Sequence, residues 1–201
     1  MTAVKGTIWL FATAALAAAV VFGGTATPAR AGLGISCPDP LAQPFAPWGD
    51  SASYAFVPDG GFESGAAGWD LSGAASVVAD NEPFFVHGNG DDASLRLPAG
   101  SSATTPRMCI QLLSSKMRFF VGGPAGSKVK VQVIYRGLLS SVLGIFDGGT
   151  VSSNGTWTPS PGISMLGGFI PLLTRSVQFR FVTTAGTAQI DDVYLDPWKV
   201  T

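Results

Sequence analysis

The stretch Gln189–Pro197 reads QIDDVYLDP and sets two adjacent carboxylates into an apolar strand pattern. Side chains of a β-strand alternate between its two faces, so strict alternation would place Ile190 and Val193 on opposite sides. A β-bulge at Asp191 and Asp192 returns the apolar residues to one face and turns a carboxylate sideways. We therefore predict a strand that carries a bulge at its acidic pair.

The acidic pair itself has two interpretations. Neighbouring carboxylates repel each other, and a hard cation such as calcium would compensate their charge because it binds carboxylate and backbone oxygens. In the second interpretation, Asp191 and Asp192 form a solvated acidic pair beside a turn. The spacing alone leaves both possibilities open.

The N-terminal segment has the composition of a secretory signal. Lys5 supplies a basic start, residues 8–22 are almost continuously apolar, and Ala29-Arg30-Ala31 fits a small-x-small cleavage site. An uncleaved anchor is the alternative, but the apolar run is shorter than the roughly 20 residues that a spanning helix needs. We expect residues 1–31 to be a signal peptide, the mature protein to be secreted, and no membrane span to remain after cleavage.

The rest of the chain has the composition of one all-β domain. It carries 10 basic and 13 acidic residues, and this net charge of −3 argues against nucleic acid or anionic lipid as a partner. Short strand candidates, such as Phe84–His87 and the alternating Lys128–Tyr135, follow one another without helical periodicity. We predict a β-sandwich of two antiparallel sheets at residues 54–201, preceded by an extended, proline-containing lead-in at residues 32–53.

The two cysteines of the chain, Cys37 and Cys109, both follow the predicted cleavage site. An even count outside the reducing cytosol indicates a disulfide, which would tie the lead-in to a strand near the middle of the domain. A lipid-bearing Cys37 is the alternative, but the apolar run ends too far upstream and lipidation would leave Cys109 without its partner. We predict a Cys37–Cys109 disulfide.

Two segments together resemble a known family. PDGGFESG at Pro58–Gly65 and the closing QIDDVYLDP are similar to the first and last strands of carbohydrate-binding-module-like jelly rolls, the galactose-binding-like β-sandwiches of many secreted glycosidases. SLRLP at Ser94–Pro98 and GTWTP at Gly155–Pro159 lie where that family has its Ser-Leu strand and its Trp strand. The resemblance implies a jelly-roll fold over roughly residues 54–198 and says less about a ligand. The lead-in departs from the family pattern and resembles a feature of secreted actinobacterial proteins of this type.

The resemblance also implies a metal site. In such modules the first and last strands are neighbours, and a structural calcium is often held between the early glutamate and the late aspartates. Carried over to this chain, the implied ligands are the side chain of Glu63, the side chain of Asp191 or Asp192, and backbone oxygens of the turn from Asp59 to Gly61.

Sugar-binding members of the family need exposed aromatic rings, because an aromatic ring offers an apolar face and nearby polar groups fix orientation. Trp69 and Trp157 lie in motifs typical of the core, so we expect both to be buried. No pattern chooses among the other aromatic candidates for a ligand-binding surface, which are Trp48, Phe84, Phe85, Tyr135 and Trp198.

Catalytic machinery is sparse in the sequence. His87 is the only histidine, so any Ser-His-acid triad depends on it, and a glycosidase would have to pair Glu82 with Glu63 or Asp80 across a cleft. We therefore predict a secreted, non-catalytic, calcium-stabilised carbohydrate-binding module whose partner is a polysaccharide or a cell-surface glycan. The alternatives are a structural or adhesive cell-envelope protein that binds a protein partner, and a glycoside hydrolase.

Overall fold

The computed structural model describes residues 42–109, 116–165, 167 and 173–196. The predicted signal peptide, Cys37 and Trp198 lie outside the described residues, so the signal peptide and the Cys37–Cys109 disulfide stay predictions. Short 3-10 turns occur at Ala46–Trp48 and Leu138–Ser140. Among the described residues, no helix is long and apolar enough to cross a membrane.

Two antiparallel sheets carry the described chain. The first sheet contains β1 (Ala55–Phe56), β3 (Ser76–Val78), β4 (Ser94–Pro98), β7 (Lys116–Gly122), β10 (Thr158–Pro159), β11 (Ile163–Ser164) and β13 (Thr187–Leu195). The second contains β2 (Asp70–Ser72), β5 (Ser102–Thr104), β6 (Met108–Cys109), β8 (Lys128–Arg136), β9 (Val142–Ser152) and β12 (Ser176–Ala185).

The strand order shows that the chain crosses repeatedly between the two sheets. The first sheet runs β10-β7-β13-β4-β3, with β1 beside β13 and β11 beside β7, and the second runs β2-β5-β12-β8-β9, with β6 beside β12. Alternating side chains of β8 and β12 point into the core between the sheets, including Val131, Val133, Phe179 and Phe181. The predicted jelly-roll β-sandwich is confirmed.

The last strand, β13, contains the predicted bulge. Its register against β7 slips between Asp191 and Tyr194, and Asp192 has a φ of 47°. The apolar residues on either side of the slip return to the core, as the sequence pattern required: Ile190, Val193 and Leu195. Since β13 also pairs with β1, the opening and closing strands of the sandwich are neighbours.

The lead-in covers the outer face of the first sheet with aromatic side chains. Phe45 lies 5.0 Å from Tyr54, 5.5 Å from Phe120 and 5.7 Å from Tyr194, measured between ring centroids, and all four rings are buried. We call these four residues the aromatic cluster. Because Phe120 and Tyr194 point away from the main core, this cluster is a second, smaller core that fixes the lead-in to the sheet.

Asp50 binds the end of the lead-in to the first sheet through hydrogen bonds and ion pairs. Its Oδ2 accepts hydrogen bonds from the Tyr54 hydroxyl at 2.7 Å, Lys116 Nζ at 3.0 Å and Arg118 at 3.0 Å. Burial alone would raise the pKa of Asp50, but the hydrogen bonds from Tyr54 and Lys116 outweigh it and hold this pKa well below its usual value. The carboxylate is therefore ionised and paired with both cations at neutral pH.

Candidate functional site

The segment Glu82–His87, between β3 and β4, is held by carboxylates at both of its ends. The Glu82 amide donates to Asp191 Oδ2 at 3.1 Å, and the His87 amide donates to Asp192 Oδ2 at 3.1 Å. The Glu82 carboxylate is itself buried and accepts hydrogen bonds from the amides of Phe84 and Val86. The prediction of a strand at Phe84–His87 is wrong because side-chain carboxylates, rather than a neighbouring strand, bind the backbone amides of this segment.

Asp191 and Asp192 are both buried beneath that segment, at 0% and 1% relative exposure. Burial, which removes water from the charged form, raises the pKa of both carboxyls; the charge of Asp192 adds to the effect on Asp191, and that of Glu82 to the effect on Asp192. Within the described part of the chain, Asp192 Oδ1 has no hydrogen-bond partner. A buried, charged carboxylate oxygen left in this state is costly, so the charge must be offset by a proton or by a cation.

His87 and Asp91 lie close to the Asp192 carboxylate. His87 Nδ1 lies 3.1 Å from Asp91 Oδ2, and His87, Asp91 and Asp192 each bring one possible ligand atom within 4.8 Å of the others. We call Glu82, Asp191 and Asp192, together with His87 and Asp91, the acidic centre. Four carboxylates and one imidazole form a donor set rich in the oxygen ligands that calcium prefers.

The predicted turn from Asp59 to Gly61 lies directly against the acidic centre. A side chain on Gly61 would place its first carbon 3.2 Å from Asp192 Oδ1, and one on Gly60 would lie 2.9 Å from the Val193 carbonyl oxygen. The two glycines therefore allow the backbone of this turn to approach the end of β13 closely. This approach explains the two glycines of the sequence motif PDGG.

The carboxylates of Asp59 and Glu63 bind loop amides nearby. Glu63 Oε1 accepts hydrogen bonds from the amides of Asp92 and Ala93, both at 3.0 Å, and Asp59 accepts from the amides of residues 64 and 67. Asp59, Gly61, Glu63 and His87 line one pocket of about 220 Å³. The structure thus gathers the early members of the predicted ligand set around the pocket that His87 also lines, while Asp191 and Asp192 lie beneath it.

An aromatic groove lies between the lead-in and the Glu82–His87 segment. The Trp48 and Phe84 rings meet edge to face at 4.9 Å, and Phe84 also lies 5.6 Å from Phe120 of the aromatic cluster. Pro47, Trp48, Phe84 and Val86 help to line this groove, whose volume is about 470 Å³. Because Phe84 is 43% exposed, its ring is open to a ligand.

The other aromatic candidates have different positions. Phe85 is 46% exposed but does not line the groove. Tyr135 is 1% exposed, and its hydroxyl donates a hydrogen bond to the Met165 carbonyl. The prediction that Tyr135 is a surface candidate is therefore wrong. Alternation along β8 directs its side chain into the core. Trp69 is buried, as expected, but the same expectation for Trp157 is wrong, since this residue is half-buried.

The carboxylates proposed for a hydrolase are engaged elsewhere. Glu82 has no exposed surface and both of its oxygens accept backbone hydrogen bonds. Asp80 accepts a hydrogen bond from the Gln189 side chain at 2.8 Å. Glu82 is therefore closed to a substrate in this arrangement.

A polar row across the second sheet was missed by sequence reasoning. On its outer face, strand pairing places one residue from each of five neighbouring strands in line: Asp70, Thr104, Arg180, Gln132 and Asp147. At the usual strand spacing this row is about 19 Å long. Alternation along their strands identifies Gln132 and Arg180 as outward-facing, but no local signal reveals that the five residues meet, because they lie on five different strands.

Comparison with known proteins supports the fold. No protein-family model and no curated protein sequence matches the chain. Among solved structures, the chain is similar to the CBM22-1–GH10 modules of Clostridium thermocellum endo-1,4-β-D-xylanase 10B, solved with xylohexaose, with a TM-score of 0.53 and 16% identity over 72% of this chain and 29% of that chain.

Two further similar structures are more distant. TmCBM61, solved with β-1,4-galactotriose, has a TM-score of 0.47 and 15% identity over 71% of this chain and 98% of that chain. The bacteriophage CBA120 tailspike protein 4 has a TM-score of 0.49 and 11% identity over 69% of this chain and 21% of that chain. The chain thus spans about a fifth of the tailspike chain and less than a third of the xylanase chain. At 16% identity, the similarity to the xylanase modules identifies a fold alone, and the chain has the jelly-roll β-sandwich fold found in carbohydrate-binding modules.

Proposed function

We propose that this protein is a secreted, non-catalytic carbohydrate-binding module that holds a polysaccharide or a cell-surface glycan in the groove between Trp48 and Phe84. The observation that carries the proposal is the exposed Phe84 ring at the lip of an apolar groove. Sugar rings present apolar C–H faces that pack on aromatic rings, and a volume of about 470 Å³ lies within the range of ligand pockets.

The fold and the state of the carboxylates support this proposal. The xylanase modules that resemble the chain in fold were solved with a xylose hexamer, so a glycan is the first ligand class to test. Glu82, which both of the carboxylate pairs considered for a glycosidase contain, is buried and bound to backbone amides, and this favours binding without catalysis.

The proposal includes a structural calcium ion at the acidic centre. Asp192, through its unpaired Oδ1, would hold the ion together with Asp91 or Asp191, and Glu63 and the Asp59–Gly61 turn would complete the set. Calcium supplies positive charge that offsets the buried carboxylates. Since the amides at both ends of Glu82–His87 bind Asp191 and Asp192, the ion would also stabilise the segment that carries Phe84.

Binding to xylan and galactan tests the proposal. We expect saturable binding to at least one polysaccharide of a panel that includes both, measured by affinity electrophoresis and isothermal calorimetry. Phe84→Ala should weaken this binding by about tenfold or more, because its ring forms a groove wall. Phe85→Ala is the matched control, since Phe85 is equally exposed but lies outside the groove lining.

Two outcomes would contradict the proposal. The first is a folded wild-type protein that binds none of the polysaccharides. The second is an equal loss of binding in Phe84→Ala and Phe85→Ala, which would place the sugar away from the groove.

A further inference from the structure

The turn between β8 and β9 carries two exposed leucines at its tip. Leu138 is 73% exposed and Leu139 is 93% exposed, and these are the largest exposures among the large hydrophobic residues described. Single exposed leucines are common on protein surfaces, but two adjacent ones on a projecting turn form a continuous apolar tip. This tip belongs to the second sheet and shares no residue with the groove or the acidic centre.

The backbone of the turn is held in a conformation that keeps the leucines outside. Leu139 and Ser140 have φ angles of 53° and 65°, which are unfavourable for residues other than glycine. Hydrogen bonds fix this shape: the Gly137 amide donates to the Ser141 carbonyl at 2.9 Å, and Arg136 donates to the Ser140 carbonyl at 3.0 Å. The exposure of Leu139 is therefore built into the turn.

Three arginines lie in the turn or are hydrogen-bonded to it, two through their side chains and Arg175 through its backbone. Arg107 donates to the Ser140 hydroxyl, Arg136 donates to the Ser140 carbonyl, and the Arg175 amide donates to the Arg136 carbonyl at 2.7 Å. Arg107 and Arg175 are exposed. Within the described part of the chain, none of these three guanidinium groups forms an ion pair with a carboxylate. The net charge of the chain argued against anionic lipid as a partner, but that argument concerns the whole surface, whereas the charge at this turn is locally positive.

We propose that this tip docks on an anionic phospholipid membrane, with Leu138 and Leu139 entering the interfacial layer and the arginines binding headgroup phosphates. An apolar tip flanked by cations is complementary to such a surface, because acyl chains accept the leucines while phosphates pair with guanidinium groups. The Leu139 side chain projects from the surface, and a fluid lipid layer can surround a projecting side chain. This inference does not rest on the proposed glycan binding.

Vesicle binding tests the inference with the full mature chain. Co-sedimentation with mixed phosphatidylglycerol–phosphatidylcholine vesicles should exceed that with pure phosphatidylcholine vesicles and should fall as salt is raised. The double variant Leu138→Ser with Leu139→Asn should bind the mixed vesicles about tenfold more weakly. Asn tolerates the left-handed backbone at position 139, so this variant should fold normally.

A charge-matched pair separates this surface from general electrostatics. Arg107→Gln with Arg175→Gln should weaken binding to mixed vesicles by about thirtyfold. Arg96→Gln with Lys128→Gln removes the same charge from exposed positions elsewhere and should bind like the wild type.

Three outcomes would overturn the inference. The first is equal binding of the wild type to neutral and anionic vesicles. The second is an equal loss of vesicle binding in the two charge-matched pairs. The third is undiminished vesicle binding by the leucine variant, together with displacement of the protein from vesicles by a soluble anionic polysaccharide. The last result would show that the arginines bind anions without membrane contact. Each readout is independent of the xylan and galactan assays.

Discussion

The two outer faces of the sandwich differ in the side chains that point away from the core and in whether those side chains are covered. On the first sheet, Phe120 and Tyr194 point outward and are covered by Phe45 of the lead-in. On the second sheet, Arg180 and Gln132 point outward and are partly open to solvent. The same alternation of strands thus gives one face covered by aromatic side chains and one face that carries a partly exposed polar row. We call the second of these the open face.

This difference explains why the buried charges lie on the first sheet. A covered face excludes water from Asp191 and Asp192, so their negative charge must be offset by a proton or a cation. On the open face, Asp147 pairs with Lys130 at 2.8 Å and remains in contact with water. Burial therefore makes one group of acidic residues a candidate binding centre and leaves the other an ordinary surface pair.

The largest expected difference between the two faces is in stability. Phe120 is completely buried and contacts Phe45, Trp48 and Phe84, so Phe120→Ala should lower the free energy of unfolding by about 3–5 kcal/mol in urea denaturation. Ile145→Ala, on the open face at 49% exposure, should change it by less than about 0.5 kcal/mol. Similar losses in the two variants would show that the lead-in does not form a second core.

The next largest effect should come from calcium. A cation bound by the folded state alone, at a hundredfold excess over its Kd, raises stability by about 2.7 kcal/mol, so a chelator should lower the melting temperature by several degrees. In Asp192→Asn and Glu63→Gln this chelator effect should be much smaller. Asp92→Asn, an exposed neighbour whose side chain is outside the proposed set, should respond like the wild type. An unchanged chelator effect in Asp192→Asn would contradict the assigned centre.

The pH dependence gives the calcium prediction a second readout. In the calcium-free protein, burial raises the folded-state pKa of Asp191 and Asp192 above the unfolded value of about 3.9. The folded state then keeps protons that the unfolded state releases, so stability should fall as pH rises from about 5 to 8 in chelator. Saturating calcium should reduce that fall because the cation replaces the protons. A fall of the same size with and without calcium would contradict an ion at this centre.

The sequence predicted the fold well because its decisive signals are local. The phase change around Asp191 required a bulge, and the alternating run at Lys128–Tyr135 required a strand with one dry face. That same alternation placed Tyr135 with the valines of the dry face. The alternation alone is therefore enough to exclude Tyr135 from the surface candidates.

The candidate site was harder to predict because its contacts join distant parts of the chain. The Glu82 amide meets a carboxylate 109 residues away, and no local pattern distinguishes a glutamate that caps backbone amides from one that faces a cleft. For the same reason Phe84–His87 looked like a strand. The roles of His87 and Asp91 followed only from their placement beside Asp192.

The smallest expected effect concerns the polar row of the open face. Arg180→Ala with Gln132→Ala should change the free energy of unfolding by less than about 0.5 kcal/mol, because both side chains are partly exposed. Polysaccharide binding should remain at the wild-type level if the sugar occupies the groove between Trp48 and Phe84. Loss of xylan or galactan binding in this double variant, with binding retained in Phe84→Ala, would show that the glycan lies across the strands of the second sheet. The aromatic face would then serve only to hold the lead-in and the acidic centre in place.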